Sequence, residues 1–290
     1  MKKNIIIAVL TVIAIVALIP TCSSCGGGTG DQDSTVSVPT VPEAGTKQPI
    51  NLTVFIDLSD RIVKTRDGLR QDEKDLAVLK TIASYVANKA QGKIKHAKDR
   101  MKVLFYPAPM DSDINKRAQA LEVDFGSYTK KDMQTKLQRA HDLVADYNKG
   151  LQVIYNNAIK QQNFTGSDIW GFFCSKVNDF CVKDGYRNVL VILTDGYIYD
   201  ENHMIQQEGQ ANFISKGTLA KGITLMPTGQ KVENLEVLVL EVNADPVGDY
   251  AKINSTISEW LTGMGIKTFK IAETDLPANT KVLIENFLGK

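Results

Sequence analysis

Most recognisable catalytic signatures are missing from this chain of 290 residues. It has no G-x-S-x-G elbow, no H-E-x-x-H pair, no P-loop and no G-x-G-x-x-G after a strand-like run. An excess of one charge is missing too. The 34 Lys+Arg against 33 Asp+Glu leave +1, so the overall balance points neither to nucleic acid nor to a polybasic grip on a membrane. A Gly-x-y period and sustained heptads are absent, which excludes collagen and coiled coil. With 43% hydrophobic and 23% charged residues, the remainder is globular in character.

Long apolar runs are also scarce, and the one present is at the start. After Lys2 and Lys3, Ile5 to Ile19 is almost purely apolar and stops at Pro20. About 15 residues fall short of the ~20 that span a bilayer, so residues 1–24 are expected to be a secretory signal peptide. The TCSSC sequence that follows holds Cys22 and Cys25, where a bacterial lipoprotein carries its acylated cysteine. Cys22 has Ile19 three positions ahead but Pro20 and Thr21 directly before it; Cys25 follows the small Ser23 and Ser24, and is favoured. Multiple acyl chains would hold the protein stably on a bacterial membrane, facing the periplasm or the exterior. Residues 25–49, rich in Gly, Ser, Thr and Pro and without an aromatic, cannot offset their ordering entropy by burial and are expected to act as a tether.

Only two cysteines remain, Cys174 and Cys181, in the helical-looking DIWGFFCSKVNDFCV. Seven residues of unbroken helix would part them by about 10 Å, beyond the ~7 Å between Cα atoms that a disulfide allows. Two buried free thiols are expected.

From residue 50 to 290 strand-like and helix-like segments alternate. LTVFID (52–57), MKVLFYP (101–107), NVLVILTD (188–195) and LEVLVLEV (235–242) are short apolar runs, as in strands buried on both faces. KTFKIA (267–272) and ALEVDFG (120–126) alternate and are expected at sheet edges, the latter hairpinned to the second strand. Helical spacing covers Asp72 to Ala90, a long segment from Met133 through Leu137, Ala140 and Val144 to Ala158, then Tyr250 to Leu261, and a last stretch around Val282 to Phe287. The expected fold is α/β, a mostly parallel central sheet with helices on both faces.

Sites in such sheets collect at the carboxyl ends of strands. The first strand runs into Asp57-Leu58-Ser59-Asp60-Arg61, and the fourth ends in Thr194-Asp195-Gly196, preceded by the loop NFTGSD. If strands one and four are neighbours, Asp57, Ser59, Asp195 and a hydroxyl from Thr165 or Ser167 converge. Oxygen ligands of that kind suit a hard divalent cation, Mg²⁺ above all.

This combination resembles the von Willebrand factor type A domain over roughly residues 50–290. The resemblance implies a metal-ion-dependent adhesion site, with Asp57 and Ser59 in the Asp-x-Ser-x-Ser positions, Ser167 in place of the loop threonine, and Asp195 in the Asp-Gly turn. Arg61 departs from the pattern, standing where the third motif residue is Ser. A guanidinium there can pair with the carboxylates and take the ion's place. Asp60 and Asp168 are expected at the periphery or in solvent.

Tyr197 to Glu233 follows the site directly and is expected to cover a sheet end and shape what binds. A transition-metal reading of His203 with Asp200 and Glu201 lacks a second soft ligand, and His96 and His141 are expected on helix surfaces. The leading expectation is an envelope lipoprotein whose domain binds a protein partner. In one version the ion on Asp57, Ser59, Ser167 and Asp195 takes a partner's carboxylate; in the other Arg61 closes the site and the 197–233 face binds. The alternative is a Mg²⁺-dependent phosphoester hydrolase using Asp57 and Asp195.

Overall fold

Ile50–Ile56 form β1, and all seven residues are buried, which requires partners on both edges and layers on both faces. The computed structural model describes residues 48–290 apart from 163 and 165. The signal peptide, Cys22, Cys25, nearly all of the tether and Thr165 lie outside the described residues.

The central sheet adds β2 (Arg100–Leu104), β3 (Val123–Asp124), β4 (Arg187–Leu193), β5 (Leu235–Val242) and β6 (Thr268–Glu273). Its order is β6-β5-β4-β1-β2-β3. Every neighbouring pair is parallel except β2 with β3. Parallel pairing explains the apolar runs, because such strands are covered twice.

Ile50, Leu52, Val54 and Ile56 pack against α1 (Gln71–Gly92), α2 (Ser112–Leu121), α3 (Met133–Gln161) and α8 (Pro277–Leu288). Phe55 on the opposite face joins α4 (Ile169–Ser175), α5 (Val177–Cys181), α6 (Lys216–Ala220) and α7 (Tyr250–Gly263). The result is a three-layer α/β sandwich. Among the described residues no helix is long and apolar enough to cross a membrane.

Several local expectations shift. The second strand stops at Leu104, and Ala120 and Leu121 end α2 instead of starting an edge strand. That helix forms because Ile114, Ala118 and Leu121 bury one stripe and the Asp111 carboxylate accepts the Asp113 amide at 2.8 Å. Leu137 is 51% exposed. The long helix α3 turns Lys136 inward instead, where Nζ donates to the Ala97 carbonyl at 2.7 Å. The cysteine-bearing stretch breaks at Lys176 into α4 and α5. Both thiols are free, Cys181 buried and Cys174 half-buried.

Residues 197–233 do cover part of the α4/α7 face. Three two-residue strands, Gln206–Gln207, Gln210–Ala211 and Thr224–Leu225, make a small sheet beside α6. Ile198, Ile214, Leu219 and Leu225 insert into the core there, and the Trp170 indole donates to the Met226 carbonyl.

Candidate functional site

From β1 the chain leads to β2 on one side, while β4 pairs on the other, so strand order reverses between β1 and β4. Such a switch point leaves a crevice at the carboxyl ends of the two strands. The register Ile56↔Leu193 brings Asp57 beside Thr194. The Asp57 amide donates to the Leu193 carbonyl at 3.0 Å. Its carboxylate is fixed at both oxygens: Oδ1 accepts the Ser59 amide at 2.9 Å, and Oδ2 accepts the Thr194 hydroxyl at 3.0 Å.

Asp195 follows on the adjacent strand, and its Oδ1 accepts the Tyr197 amide at 3.1 Å. The turn needs Gly196, whose φ is +92° and whose absent Cβ would lie 2.8 Å from Ile253. Burial, and next the nearby Asp57 charge, push the Asp195 carboxyl up to about 6, against the pull of Arg61 and Lys64.

Ser167 arrives from a third stretch. Gly166–Ser167 pairs antiparallel with Tyr199–Asp200, at a close approach only glycine permits, since a Cβ on Gly166 would fall 2.3 Å from the Tyr199 carbonyl oxygen. Alternation along this ribbon sends Ser167 and Tyr199 to one face and Asp200 to the other. The Ser167 hydroxyl is buried and has no hydrogen-bond partner among the described residues. Asp57, Ser59, Ser167 and Asp195 line one cavity of about 460 Å³, with Asp60 and Lys64 at its wall. Larger grooves lie at the opposite end of the sheet, about 840 Å³, and between α1 and α8, about 890 Å³. Neither gathers a comparable set of buried oxygens.

Arg61 does not fill the cavity. Its Nε donates to the Asp57 carbonyl at 2.9 Å and stands 3.7 Å from Asp57 Oδ2, while its terminal nitrogens reach Asp75 at 2.6 and 3.3 Å. Asp75 also accepts from the Tyr155 hydroxyl at 2.8 Å and from Gln71 at 2.9 Å, and Gln71 bridges on to Glu241 at 3.1 Å. Burial opposes the guanidinium charge, but Asp75 and Asp57 outweigh it and hold the group above an ordinary arginine. The cation nearest the acids of the cavity is Lys64, half-exposed, with Nζ 3.6 Å from Asp195 and 3.3 Å from Asp60, while Lys216 also lines the wall. Nothing in the sequence pattern singled out Lys64, and Thr194 stood there only as part of the Thr194-Asp195-Gly196 turn, with no role toward Asp57.

Asp60 is solvent-exposed, as expected. Asp168 is buried, and its carboxylate caps α4 by accepting the Gly171 amide at 2.6 Å. Asp168, Asp200 and His203 have ligand atoms within 4.8 Å of one another, while Glu201 stays outside. Both Asp200 oxygens are engaged, one by the Asn202 amide and one by His203 Nδ1 at 2.7 Å. These groups stabilise their own loop.

No family model matches the chain, and no curated protein matches it. Among solved structures, the pilus adhesin SpaC from Lactobacillus rhamnosus GG aligns at a TM-score of 0.40 and 12% identity over 83% of this chain. The chain spans 30% of that adhesin. A likeness this distant says nothing about what the chain binds.

Proposed function

We propose that this chain is a lipid-anchored protein of the bacterial envelope whose domain is a von Willebrand factor type A-like module, binding a protein partner through a divalent cation on Asp57, Ser59, Ser167 and Asp195. The observation that carries the reading is the Ser167 hydroxyl. A buried hydroxyl without a partner costs about 1–3 kcal/mol, and this one lines the same cavity as two carboxylates from adjacent strands. An oxygen-ligating cation would satisfy the hydroxyl and relieve the repulsion between the acids, and the donor set fits Mg²⁺ or Mn²⁺.

Within that reading the chain's own residues do the positioning. Thr194 and the Ser59 amide orient the Asp57 carboxylate. The Tyr197 amide orients that of Asp195. When bound, the ion supplies a coordination position for a partner's Asp or Glu carboxylate. Tyr197, Tyr199 and Lys216 stand on the cavity wall, where they would select what approaches.

Titration calorimetry of the full chain with Mg²⁺ and Mn²⁺, wild type beside Asp195→Ala, tests the site. Heat from wild type alone is expected; no heat with either ion overturns the metal. Turnover of p-nitrophenyl phosphate, lost in Asp57→Asn, would replace the binding role with the hydrolase one. Palmitate labelling in cells, lost on Cys25→Ser or Cys22→Ser, is expected for the anchor.

A further inference from the structure

Near-neutral total charge conceals a separation along the strands. Five of the six central strands run parallel, so the loops that precede them share one end of the domain and the loops that follow them share the other. The following loops contain the candidate site, and there acids such as Asp60, Asp67, Asp195, Asp200, Asp245 and Asp275 outnumber the bases Arg61, Lys64, Arg66 and Arg70. The preceding loops carry Lys93, Lys95 and Lys98 before β2, Lys183 before β4, Lys231 before β5 and Lys267 before β6, and all six are exposed.

β3 runs antiparallel, so the loop that leaves it returns to the same end and adds the exposed Lys130 and Lys131. These loops touch: the position of a Cβ on Gly126 is 3.5 Å from the Tyr186 hydroxyl and 3.6 Å from Lys98. Few acids offset the lysines. Asp99 is buried, where it accepts the Ile50 amide at 2.8 Å and pairs with Lys89 at 2.9 Å. Asp132 is occupied in capping Thr129. Asp184 and Glu233 are the exposed acids left in these loops.

The described chain enters the domain at this same end, with Gln48 on the wall of the groove of about 840 Å³ alongside Lys183, Lys231 and Lys267. The covalently preceding sequence contains the apolar run Ile5 to Ile19.

We propose that the lysine-bearing end of the domain docks on an anionic lipid surface. Phosphate headgroups complement the exposed ammonium groups, and the attraction acts within about one Debye length, ~8 Å at physiological salt. The acidic end, repelled by the same surface, turns outward. Docking therefore sets the orientation of the domain, with the Asp57 and Asp195 cavity facing away from the bilayer. This proposal does not depend on a metal at that cavity.

The test uses the full chain on vesicles of phosphatidylcholine alone and of phosphatidylcholine with phosphatidylglycerol. Amine acetylation of each lysine is read by mass spectrometry, with Lys116 and Lys149 on α2 and α3 as internal references. Lys93, Lys95, Lys98, Lys183, Lys231 and Lys267 are expected to label at least threefold more slowly on the anionic vesicles, and 0.5 M NaCl is expected to abolish the difference. The triple variant Lys95→Glu, Lys98→Glu, Lys183→Glu should lose the protection at the other lysines, while its far-ultraviolet circular dichroism stays that of wild type. Equal labelling on the two vesicle types overturns the proposal. So does protection that survives high salt, or protection by a duplex oligonucleotide but not by anionic vesicles.

Discussion

Two clusters of charge meet at Asp57 and are built on opposite plans. Behind β1, Arg61, Asp75, Gln71, Tyr155 and Glu241 form a dry network in which the charged groups are bonded in several directions. In front, Asp195 has a half-exposed lysine at 3.6 Å, and Ser167 has no partner among the described residues. The first arrangement satisfies its polar groups from within; the second leaves a hydroxyl unmet among the described residues. Arg61 therefore holds the Asp57 backbone and Asp75 from behind and stays out of the cavity.

The comparison is sharpest at Asp75 and Arg61. Removing one partner of a buried ion pair strands the other, at about 3–5 kcal/mol. Asp75→Ala and Arg61→Ala are expected to lose that much in urea denaturation, and Arg61→Ser to do the same without raising Mg²⁺ affinity. A gain of Mg²⁺ binding in Arg61→Ser would break the distinction between the two clusters. Ser167→Ala should act the other way: the ion-free protein gains up to about 1–3 kcal/mol because an unsatisfied buried group is removed, while Mg²⁺ affinity falls about tenfold.

The acid response of Asp195 is a smaller effect. Its folded carboxyl keeps a proton up to about pH 6, whereas an unfolded one releases it near 4. The folded state binds more protons in that window, so its stability declines as pH rises from about 4 to about 6 and levels off above. Asp195→Asn should flatten that slope in denaturation curves taken at successive pH values, and Mg²⁺ affinity of the wild type should weaken below about pH 6. The smallest change is expected at Lys64. The lysine is half-exposed in both its ion pairs, so each is worth about 0–1 kcal/mol, and Lys64→Ala should change stability little and raise Mg²⁺ affinity a few-fold in calorimetry.

Much of the scaffold was legible because burial on both faces leaves continuous apolar runs: β1, β4 and β5 stand within two residues of their expected bounds. Asp57, Ser59 and Asp195 line one cavity because β1 and β4 are neighbours, the condition on which their convergence was expected, while Ser167, singled out by the resemblance, reaches it from a separate ribbon. What escaped was polar. In α1, Gln71, Lys74 and Asp75 lie in phase with Val78, Leu79 and Ile82, so the inward stripe carries the buried carboxylate in its phase, while polarity alone places that residue in solvent. Glu241 left no such trace. Its φ of +66° at an irregularity of β5 turns the side chain toward Gln71, a backbone event that no residue spacing announces. The helix α2 was hidden by its composition, because seven of its ten residues stay out of the core.

The chain enters the domain at the start of β1, which lies inside the sheet with β4 on one edge and β2 on the other. Any tension transmitted through residue 48 would pull along the strand and load both rows of hydrogen bonds together. Rupture would then require many bonds to slide at once, whereas an edge strand can peel away bond by bond.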